Sequence, residues 1–198
     1  CHKAGITTVM ITGDHKNTAK AIGEELGFFG YNMKAIDGVE LDTLPDEILE
    51  KEVSKIAVYA RVSAEHKLRI VKAWKKQGAV VAMTGDGVND APAVKEASIG
   101  VSMGITGTHV TKEASDMIIT DDNFASIVSA VEEGRGIYDN IKKSIHYLLS
   151  CNAGEIVTML FASIFNLPLP LFPIQILWIN IATDGLPALA LGVDSVAP

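Results

Sequence analysis

The stretch MTGDGVNDAP at residues 83–92 follows an apolar run, and a shorter version of it, MITGDHKNTA, occurs at residues 10–19. A Gly directly after a strand lets the backbone turn tightly near a ligand, and Thr hydroxyls and backbone amides can hold phosphoryl oxygens. The carboxylates of Asp86 and Asp90 are four residues apart with Asn89 between them. Such an oxygen-rich set suits Mg²⁺. Gly, Asp and Asn are also ordinary turn residues, and for Thr-Gly-Asp alone that interpretation is favoured.

The residues around these two stretches predict alternating strands and helices. The predicted strands are ITTVMI at 6–11, KIAVYA at 55–60, AVVAMT at 79–84, IGVSM at 99–103 and DMIIT at 116–120. Predicted helices run from about Asn17 to Leu26, through LDTLPDEILEKEV, and from an N-cap at Ser63 to about Gln77. Apolar strands separated by helices indicate a parallel sheet that is buried on both faces.

The predicted sheet places both Thr-Gly-Asp stretches where ligands bind, because ligands of open parallel sheets lie at the carboxyl ends of the strands. Lys67 falls in the first turn of the Ser63 helix and supplies a positive charge for a phosphoryl group. The combination of two such stretches with this lysine favours phosphate and Mg²⁺ binding over simple turns.

Charge divides the 198 residues into two parts. Residues 1–140 hold 15 Lys and Arg and 21 Asp and Glu, whereas residues 144–192 hold only Glu155 and Asp184 as charged side chains. The first part is acidic and has no basic stripe, which argues against nucleic acid as a partner. Cys1 and Cys151 lie in different parts and suggest no disulfide framework, in keeping with a cytosolic soluble part.

The second part predicts a transmembrane hairpin. Residues 144–166 and 173–193 each carry a single charge and have about the length, roughly twenty residues, that spans a hydrocarbon core. The uncharged, proline-rich NLPLPLFP joins them. Lys142 and Lys143 flank the first helix, which places both ends of the hairpin in the cytoplasm by the positive-inside rule. Length alone leaves open two buried helices of a soluble core.

Polar side chains within the hairpin predict a cation site. An ionisable group at membrane depth costs roughly 2.5–3.5 kcal/mol on insertion scales, so it usually faces a site and not lipid. Asn152 and Glu155 share one helix face; Asn180, Thr183 and Asp184 share another. Their oxygens form the set expected for a hard cation. Pro187 removes a helical hydrogen bond and should free a carbonyl near Thr183, whereas Ser150 and Thr158 are expected to bond back to their own helix.

Five stretches together resemble the P-type ATPases of the haloacid dehalogenase superfamily. They are MITGD at 10–14, ARVSAEHK at 60–67, MTGDGVNDAP at 83–92, DDNFASIVSAVEEGRGIYDNIKKSIHYLLS at 121–150 and QILWINIATDGLPALALG at 175–192. The similarity covers essentially the whole chain and is closest to calcium pumps of the sarcoplasmic-reticulum type and their bacterial relatives. GDGVNDAP is a specific motif; Thr-Gly-Asp alone is weak.

The resemblance implies a role for each matching residue. Asp86 would ligate the catalytic Mg²⁺, Asn89 and Asp90 would support metal and phosphate, and Lys67 would contact the phosphoryl group. The phosphate and ATP side would be lined by Thr12, Gly13 and Asp14, with Arg61 reaching the nucleotide. The transported Ca²⁺ would be held by Asn152, Glu155, Asn180, Thr183 and Asp184. These side chains offer about five to seven oxygens and each Ca²⁺ takes six to eight, so other membrane helices must contribute.

The family's phosphoryl acceptor is the Asp of an Asp-Lys-Thr-Gly-Thr motif, which does not occur in these 198 residues. The chain also opens without Met and lacks the Thr-Gly-Glu loop and the nucleotide-binding insertion of the family. In the superfamily the strand with the nucleophile lies in the middle of the sheet. We therefore expect an incomplete sheet with unpaired strand edges, where each unpaired backbone group costs on the order of 1–3 kcal/mol.

These observations predict an incomplete α/β, haloacid-dehalogenase-like (Rossmann-like) phosphorylation domain followed by an α-helical transmembrane hairpin. The expected boundaries are 1–140 for the domain, 141–167 and 173–193 for the membrane helices, 168–172 for a non-cytoplasmic loop and 194–198 for the next cytoplasmic loop.

Three functions compete. The favoured one is part of an ATP-driven, calcium-transporting P-type ATPase in a multi-pass membrane protein, which needs the remainder of the pump and a lipid bilayer as partners. The chain alone is expected to be inactive. The alternatives are a non-catalytic membrane fragment that binds Mg²⁺ or phosphate, and a soluble haloacid-dehalogenase phosphatase. A helix that runs unbroken through YDNIKKSIHYLLS would link the two parts mechanically.

Overall fold

The computed structural model describes Cys1 and residues 4–195. The chain divides into two compact units, Cys1–Phe124 and Ala125–Pro198. The predicted loop 194–198 lies partly outside the described residues.

The first unit alternates strands and helices, as the sequence predicts. Its elements are β1 Met10–Thr12, α1 Lys16–Glu25, β2 Lys34–Asp37, α2 Gly38–Thr43, α3 Asp46–Glu52, β3 Ile56–Ala60, α4 Ala64–Lys76, β4 Ala82–Gly85, α5 Ala91–Glu96, β5 Ile99–Met103, α6 His109–Ala114 and β6 Met117–Ile119.

The six strands form two parallel sheets of three strands, in the orders β1-β3-β2 and β4-β5-β6. All residues of β3 are buried, which explains the unbroken apolar run of the central strand. Strands β1 and β4 are both edges, and each carries a Thr-Gly-Asp stretch at its carboxyl end. Ile11 of β1 packs against the cluster of Val71, Met83 and Val94 as well as its own core. The incomplete parallel sheet is therefore confirmed.

Two local predictions need correction. The structure adds a strand that the sequence does not predict, since β2, Lys34–Asp37, pairs in parallel with β3. Its four residues are too few and too mixed in polarity to predict a strand by themselves, so pairing with buried β3 makes this segment a strand. The first strand is Met10–Thr12 and not 6–11.

The helix that carries Lys67 begins as predicted. The Ser63 hydroxyl accepts a hydrogen bond from the His66 N–H (3.3 Å), and the Ser63 N–H donates to His66 Nδ1 (3.2 Å). This reciprocal cap satisfies two backbone N–H groups, those of Ser63 and His66, that would otherwise lack partners. Gly78 has φ 80° just beyond the helix, the left-handed backbone that glycine adopts at low cost.

The second unit consists of two long apolar helices. Helix α7, Phe124–Ile164, runs for 41 residues without interruption. The second span, Pro173–Gly192, contains α8 Pro173–Trp178, a π-helical segment Ile179–Asp184 and α9 Gly185–Gly192. Both spans are long and apolar enough to cross a membrane, and few of their residues are buried within the chain.

Candidate functional site

The Asp90 side chain is buried in the loop that follows β4. Asp90 is 6% exposed, and its Oδ2 accepts hydrogen bonds from the N–H groups of Asp86 (3.3 Å) and Gly87 (3.2 Å). The other oxygen forms an ion pair with the Lys67 ammonium. Both oxygens of this carboxylate therefore already have partners, so Asp90 shapes the loop.

Asp86 and Asn89 present their side chains differently from Asp90. Both are exposed, and within the described residues neither side chain has a hydrogen bond or ion-pair partner. A free carboxylate and a free amide oxygen beside a lysine fit a hard cation such as Mg²⁺ together with a phosphoryl group. The donor chemistry of these residues therefore suits the metal that the sequence predicts.

Lys67 is brought to this loop by the N-terminal turn of α4. Its side chain is about three-quarters shielded from solvent, and its ammonium pairs with Asp90, 23 residues further along the sequence. A cation at this place balances the buried carboxylate and adds positive potential beside Asp86. The structure therefore brings three of the predicted residues together. Lys67 pairs with Asp90, and Asp86 lies in the same loop as Asp90.

The first Thr-Gly-Asp stretch forms a closed turn after β1. The Thr12 hydroxyl donates to Asp14 Oδ2, and the Asp14 N–H donates to the Thr12 hydroxyl oxygen, both across 3.1 Å. Gly13 and Asp14 are exposed. In the described part of the chain, no hydrogen bond joins this turn to the loop of Asp86.

Arg61 follows the carboxyl end of β3 in an unusual conformation. Its φ is 48°, the left-handed region that costs a non-glycine residue about 1–2 kcal/mol. Gly38 makes the turn possible, because a Cβ there would lie 2.5 Å from the Arg61 carbonyl oxygen. Such backbone strain is found at functional sites, and the exposed side chain remains free to meet a ligand.

A polar cluster joins the two apolar helices of the second unit, with Asn180 in contact with Glu155 and Asp184 one turn beyond Asn180 along the same helix. The Asn180 amide donates to Glu155 Oε2 (3.4 Å) and to the Ile176 carbonyl (3.1 Å). Asp184 is 3% exposed. Glu155 Oε1 and Asp184 Oδ2 are buried and have no hydrogen-bond partner among the described residues. Unpaired buried carboxylate oxygens are costly, and a cation would satisfy them.

The helix geometry at this cluster agrees with the effect predicted for Pro187. The π-helical segment ends where the Gly185 N–H donates to the Asn180 carbonyl, five residues earlier. Pro187 has no N–H to donate to the Thr183 carbonyl, and the Tyr147 hydroxyl lies 3.5 Å from that oxygen. Single π-helical segments interrupt helices at functional sites more often than elsewhere.

Two predicted ligands, Asn152 and Thr183, make no hydrogen bond to Asn180, Glu155 or Asp184 among the described residues. Asn152 is exposed, and its amide donates to the Leu148 carbonyl of its own helix (2.9 Å). The Thr183 side chain is exposed as well. The Thr158 hydroxyl bonds the Gly154 carbonyl of its own helix (2.8 Å), as predicted.

Several residues that make contacts in the structure are not predicted by the sequence. Tyr147, Cys151 and Glu155 recur at four-residue spacing, a signal that places Tyr147 on the face of Glu155. At the other end of the hairpin, the Asn140 amide donates to the Asp194 carbonyl (2.6 Å) and the Lys143 ammonium pairs with the Asp194 carboxylate (2.9 Å). No sequence pattern points to that pairing across more than 50 residues.

Asp194 also shows the electrostatic effect of this contact. Its pKa lies below the usual value for an aspartate because the Lys143 ammonium donates a hydrogen bond to the charged form. Together with the bond from the Ser144 hydroxyl to the Ala188 carbonyl (3.0 Å), the pair fixes the two helices at the end opposite the proline-rich connection.

Comparison with known proteins agrees with both units. Residues 1–98 match the family of haloacid dehalogenase-like hydrolases, and residues 168–198 match the C-terminus of cation transporting ATPases. A calcium-transporting ATPase of Bacillus subtilis is 62% identical over 194 residues, covering 98% of this chain and 22% of that protein. A mouse calcium-transporting ATPase type 2C member 1 is 50% identical over 193 residues, covering 98% of this chain and 21% of that protein.

Solved structures give the same assignment. The crystal structure of a zinc-transporting PIB-type ATPase is 27% identical, with a TM-score of 0.64, over 96% of this chain and 25% of that one. The chain thus spans about a fifth of the length of the curated relatives that it matches. With a haloacid-dehalogenase-like parallel sheet, two long apolar helices and this similarity along nearly its whole length, the chain belongs to the P-type ATPase family.

Proposed function

We propose that the whole protein is an ATP-driven calcium pump, and that this chain supplies the Mg²⁺-binding part of its phosphorylation domain and two of its membrane helices. The observation that carries the proposal is the cluster between the helices. Glu155 and Asp184 each have a buried oxygen without a partner among the described residues. Relatives named as calcium-transporting ATPases support Ca²⁺ as the cation.

In the cytosolic part, Asp86 and Asn89 would hold Mg²⁺, and Lys67 and Asp90 would keep the loop in place. Bound Mg²⁺ neutralises phosphoryl charge and orients the phosphate for transfer. The exposed carboxylate of Asp86 is directed by a backbone whose N–H groups are fixed on Asp90. Thr12, Gly13 and Asp14 would face the phosphate, and Arg61 would reach the nucleotide.

The aspartate that accepts the phosphoryl group must come from another part of the pump. Strands β1 and β4 are edges whose carboxyl ends carry the two Thr-Gly-Asp stretches. We propose that the strand bearing the acceptor pairs between them, which would bring its carboxyl end to Asp86. The 198-residue chain alone would then bind Mg²⁺ or phosphate without turnover.

In the membrane part, we propose that Ca²⁺ binds the carboxylates of Glu155 and Asp184 and the amide oxygen of Asn180. Asn152 and Thr183 would complete the site with residues of other membrane helices, since Ca²⁺ takes about six to eight oxygens. Lys142 and Lys143 place the adjoining end of the hairpin in the cytoplasm.

Helix α7 would form the mechanical link because it is continuous from Phe124 through Glu155. A displacement at its first turn would be transmitted along a rigid helix to the cation site. Two glycines inserted near Ser144 would weaken that rigidity, and ATP hydrolysis should then proceed with less ion transport.

The test is Ca²⁺-dependent ATP hydrolysis by the whole pump. We expect Glu155→Gln and Asp184→Asn each to weaken Ca²⁺ activation at least about tenfold, because each removes one negative charge from a buried site. Asp194→Asn is the matched control, since it removes the same charge from an exposed position. Ca²⁺ activation that survives both changes would refute the assignment. Asp86→Asn should abolish Mg²⁺-dependent phosphoenzyme formation.

A further inference from the structure

The peptide groups of Asp86 and Gly87 are held on both sides. Their N–H groups donate to the Asp90 carboxylate, as described above. Their carbonyl groups face the segment that follows β5: the Thr108 N–H donates to the Asp86 carbonyl (2.8 Å), and the Thr111 hydroxyl donates to the Gly87 carbonyl (2.7 Å). Every backbone polar group of these two residues is thus fixed, whereas the Asp86 carboxylate has no partner among the described residues.

The hydroxyls of Thr108 and Thr111 form an ordered chain. They lie 2.8 Å apart, and a threonine hydroxyl has only one proton. Because Thr111 gives its proton to the Gly87 carbonyl, which can only accept, Thr108 must donate to Thr111. Thr111 is fully buried, so loss of its hydroxyl would leave the Gly87 carbonyl with fewer partners away from water.

The segment that carries these threonines is itself anchored. The Asp122 carboxylate accepts hydrogen bonds from the N–H groups of Ile105 (2.9 Å) and Thr106 (2.8 Å) and from the Thr106 hydroxyl (2.8 Å). Gly107 packs so closely that a Cβ there would lie 2.0 Å from the Met103 carbonyl oxygen. The loop therefore has little freedom to shift away from Asp86.

We infer that Thr111 and Thr108 are positioning residues, which hold the backbone from which Asp86 presents its carboxylate to Mg²⁺. The inference rests on the proposed function of Asp86. Both threonines act through the backbone carbonyls of Asp86 and Gly87 and not through the Asp86 carboxylate. Such preorganisation matters because a metal ligand must be held close to its productive geometry before the metal arrives.

The experiment uses the whole pump with Thr111→Val, which keeps the shape of the side chain and removes its hydroxyl, and Thr111→Ser, which restores the hydroxyl. The first readout is amide hydrogen exchange of residues 83–92 without Mg²⁺ or nucleotide. The second is the Mg²⁺ concentration that gives half-maximal phosphoenzyme. For Thr111→Val we expect both to rise about five- to tenfold, as for one lost buried hydrogen bond. Thr111→Ser should stay within about twofold of wild type.

Ser115→Ala is the matched control at the other end of α6, where the Ser115 hydroxyl bonds Ser102 (3.1 Å) and the Lys112 carbonyl (2.9 Å). It should leave both readouts unchanged. Thr108→Ala provides a second variant in case Thr111→Val does not fold, and should shift both readouts in the same direction.

The inference would be overturned if Thr111→Val had the same hydrogen exchange and the same Mg²⁺ dependence as wild type. It would also be overturned if Ser115→Ala shifted both readouts as much as Thr111→Val does. If Asp86→Asn keeps the Mg²⁺ dependence of wild type, the proposed function of Asp86 fails instead, so the two failures are distinguishable.

Discussion

The side-chain amide of Asn180 donates a hydrogen bond to the Glu155 carboxylate across 3.4 Å, and so joins the two apolar helices. The bond uses one oxygen of Glu155 and leaves the other, with Asp184 Oδ2, without a partner among the described residues. An amide that donates to one carboxylate oxygen still has its own oxygen to offer. Asn180 can therefore act as both a link between the helices and a cation ligand.

The proposed dual role of Asn180 predicts the effect of Asn180→Leu, which keeps the size of the side chain and removes its polar atoms. We expect Ca²⁺ half-activation to rise about tenfold, because an oxygen ligand and a contact that orients Glu155 are lost. Thr158→Val is the control, since Thr158 bonds only its own helix. Ca²⁺-dependent ATP hydrolysis measures both, and equal effects would argue against the role of Asn180.

Replacing Pro187 should make its helix more stable and Ca²⁺ binding weaker. Pro187→Ala supplies an N–H for the Thr183 carbonyl, which now faces the Tyr147 hydroxyl. We expect a more stable helix and a Ca²⁺ affinity lowered about tenfold, because a carbonyl bonded within the helix is less available to a cation. Thermal unfolding in detergent and Ca²⁺ titration test the two effects. Unchanged Ca²⁺ affinity would show that this carbonyl is not a ligand.

Asp122 predicts an acid-sensitive loop. Hydrogen bonds from the backbone of Ile105 and from Thr106 lower the pKa of Asp122 from 3.8 to about 2. A depressed pKa means that the carboxylate stabilises the folded loop fully above pH 3.8 and loses this effect as the pH falls towards 2.

Asp122→Asn should therefore loosen residues 104–108 at neutral pH, and the difference from wild type should shrink below pH 3.8. Limited proteolysis or hydrogen exchange at several pH values measures it. A difference that stays constant from neutral pH down to about pH 2 would contradict the assignment.

The two glycines that flank Asp86 should differ in how well they tolerate substitution by alanine. A Cβ at Gly85 would lie 2.5 Å from Asp90 Cβ, whereas a Cβ at Gly87 would meet its nearest atom, Asp90 Oδ2, at 3.6 Å. Gly85→Ala should lower the free energy of unfolding by about 1–3 kcal/mol through overpacking. Gly87→Ala should be close to neutral for stability, and thermal unfolding without ligands compares them. Equal destabilisation would mean that the loop adjusts freely.

The edges of the two half-sheets predict a difference between this chain and the whole pump. If a strand from elsewhere in the pump pairs between β1 and β4, amides of residues 10–12 and 82–85 should exchange more slowly in the pump than in the 198-residue chain. A lost strand bond allows local opening at low free energy, so a difference of about tenfold or more is expected. Equal exchange would exclude pairing at these edges.

The sequence by itself determined the elements with strong local signals. The apolar run of β3, the cap at Ser63 and the glycine at 78 are contained within a few residues, and the structure confirms them. The charge-free spans needed only length and composition. The two Thr-Gly-Asp stretches together with Lys67 indicated a phosphate and Mg²⁺ site. The polar residues of the hairpin indicated a cation site because ionisable groups at membrane depth are costly unless they face a site.

The tertiary structure decided which residues act as partners. It separated Asp90, which is bonded to Lys67 and two backbone N–H groups, from the exposed Asp86, although both carboxylates belong to one motif. It made Lys34–Asp37 a strand because buried β3 lies beside it. It also brought Thr111 to the Gly87 carbonyl. Such contacts depend on where distant segments meet, and no local propensity or periodicity encodes that distance.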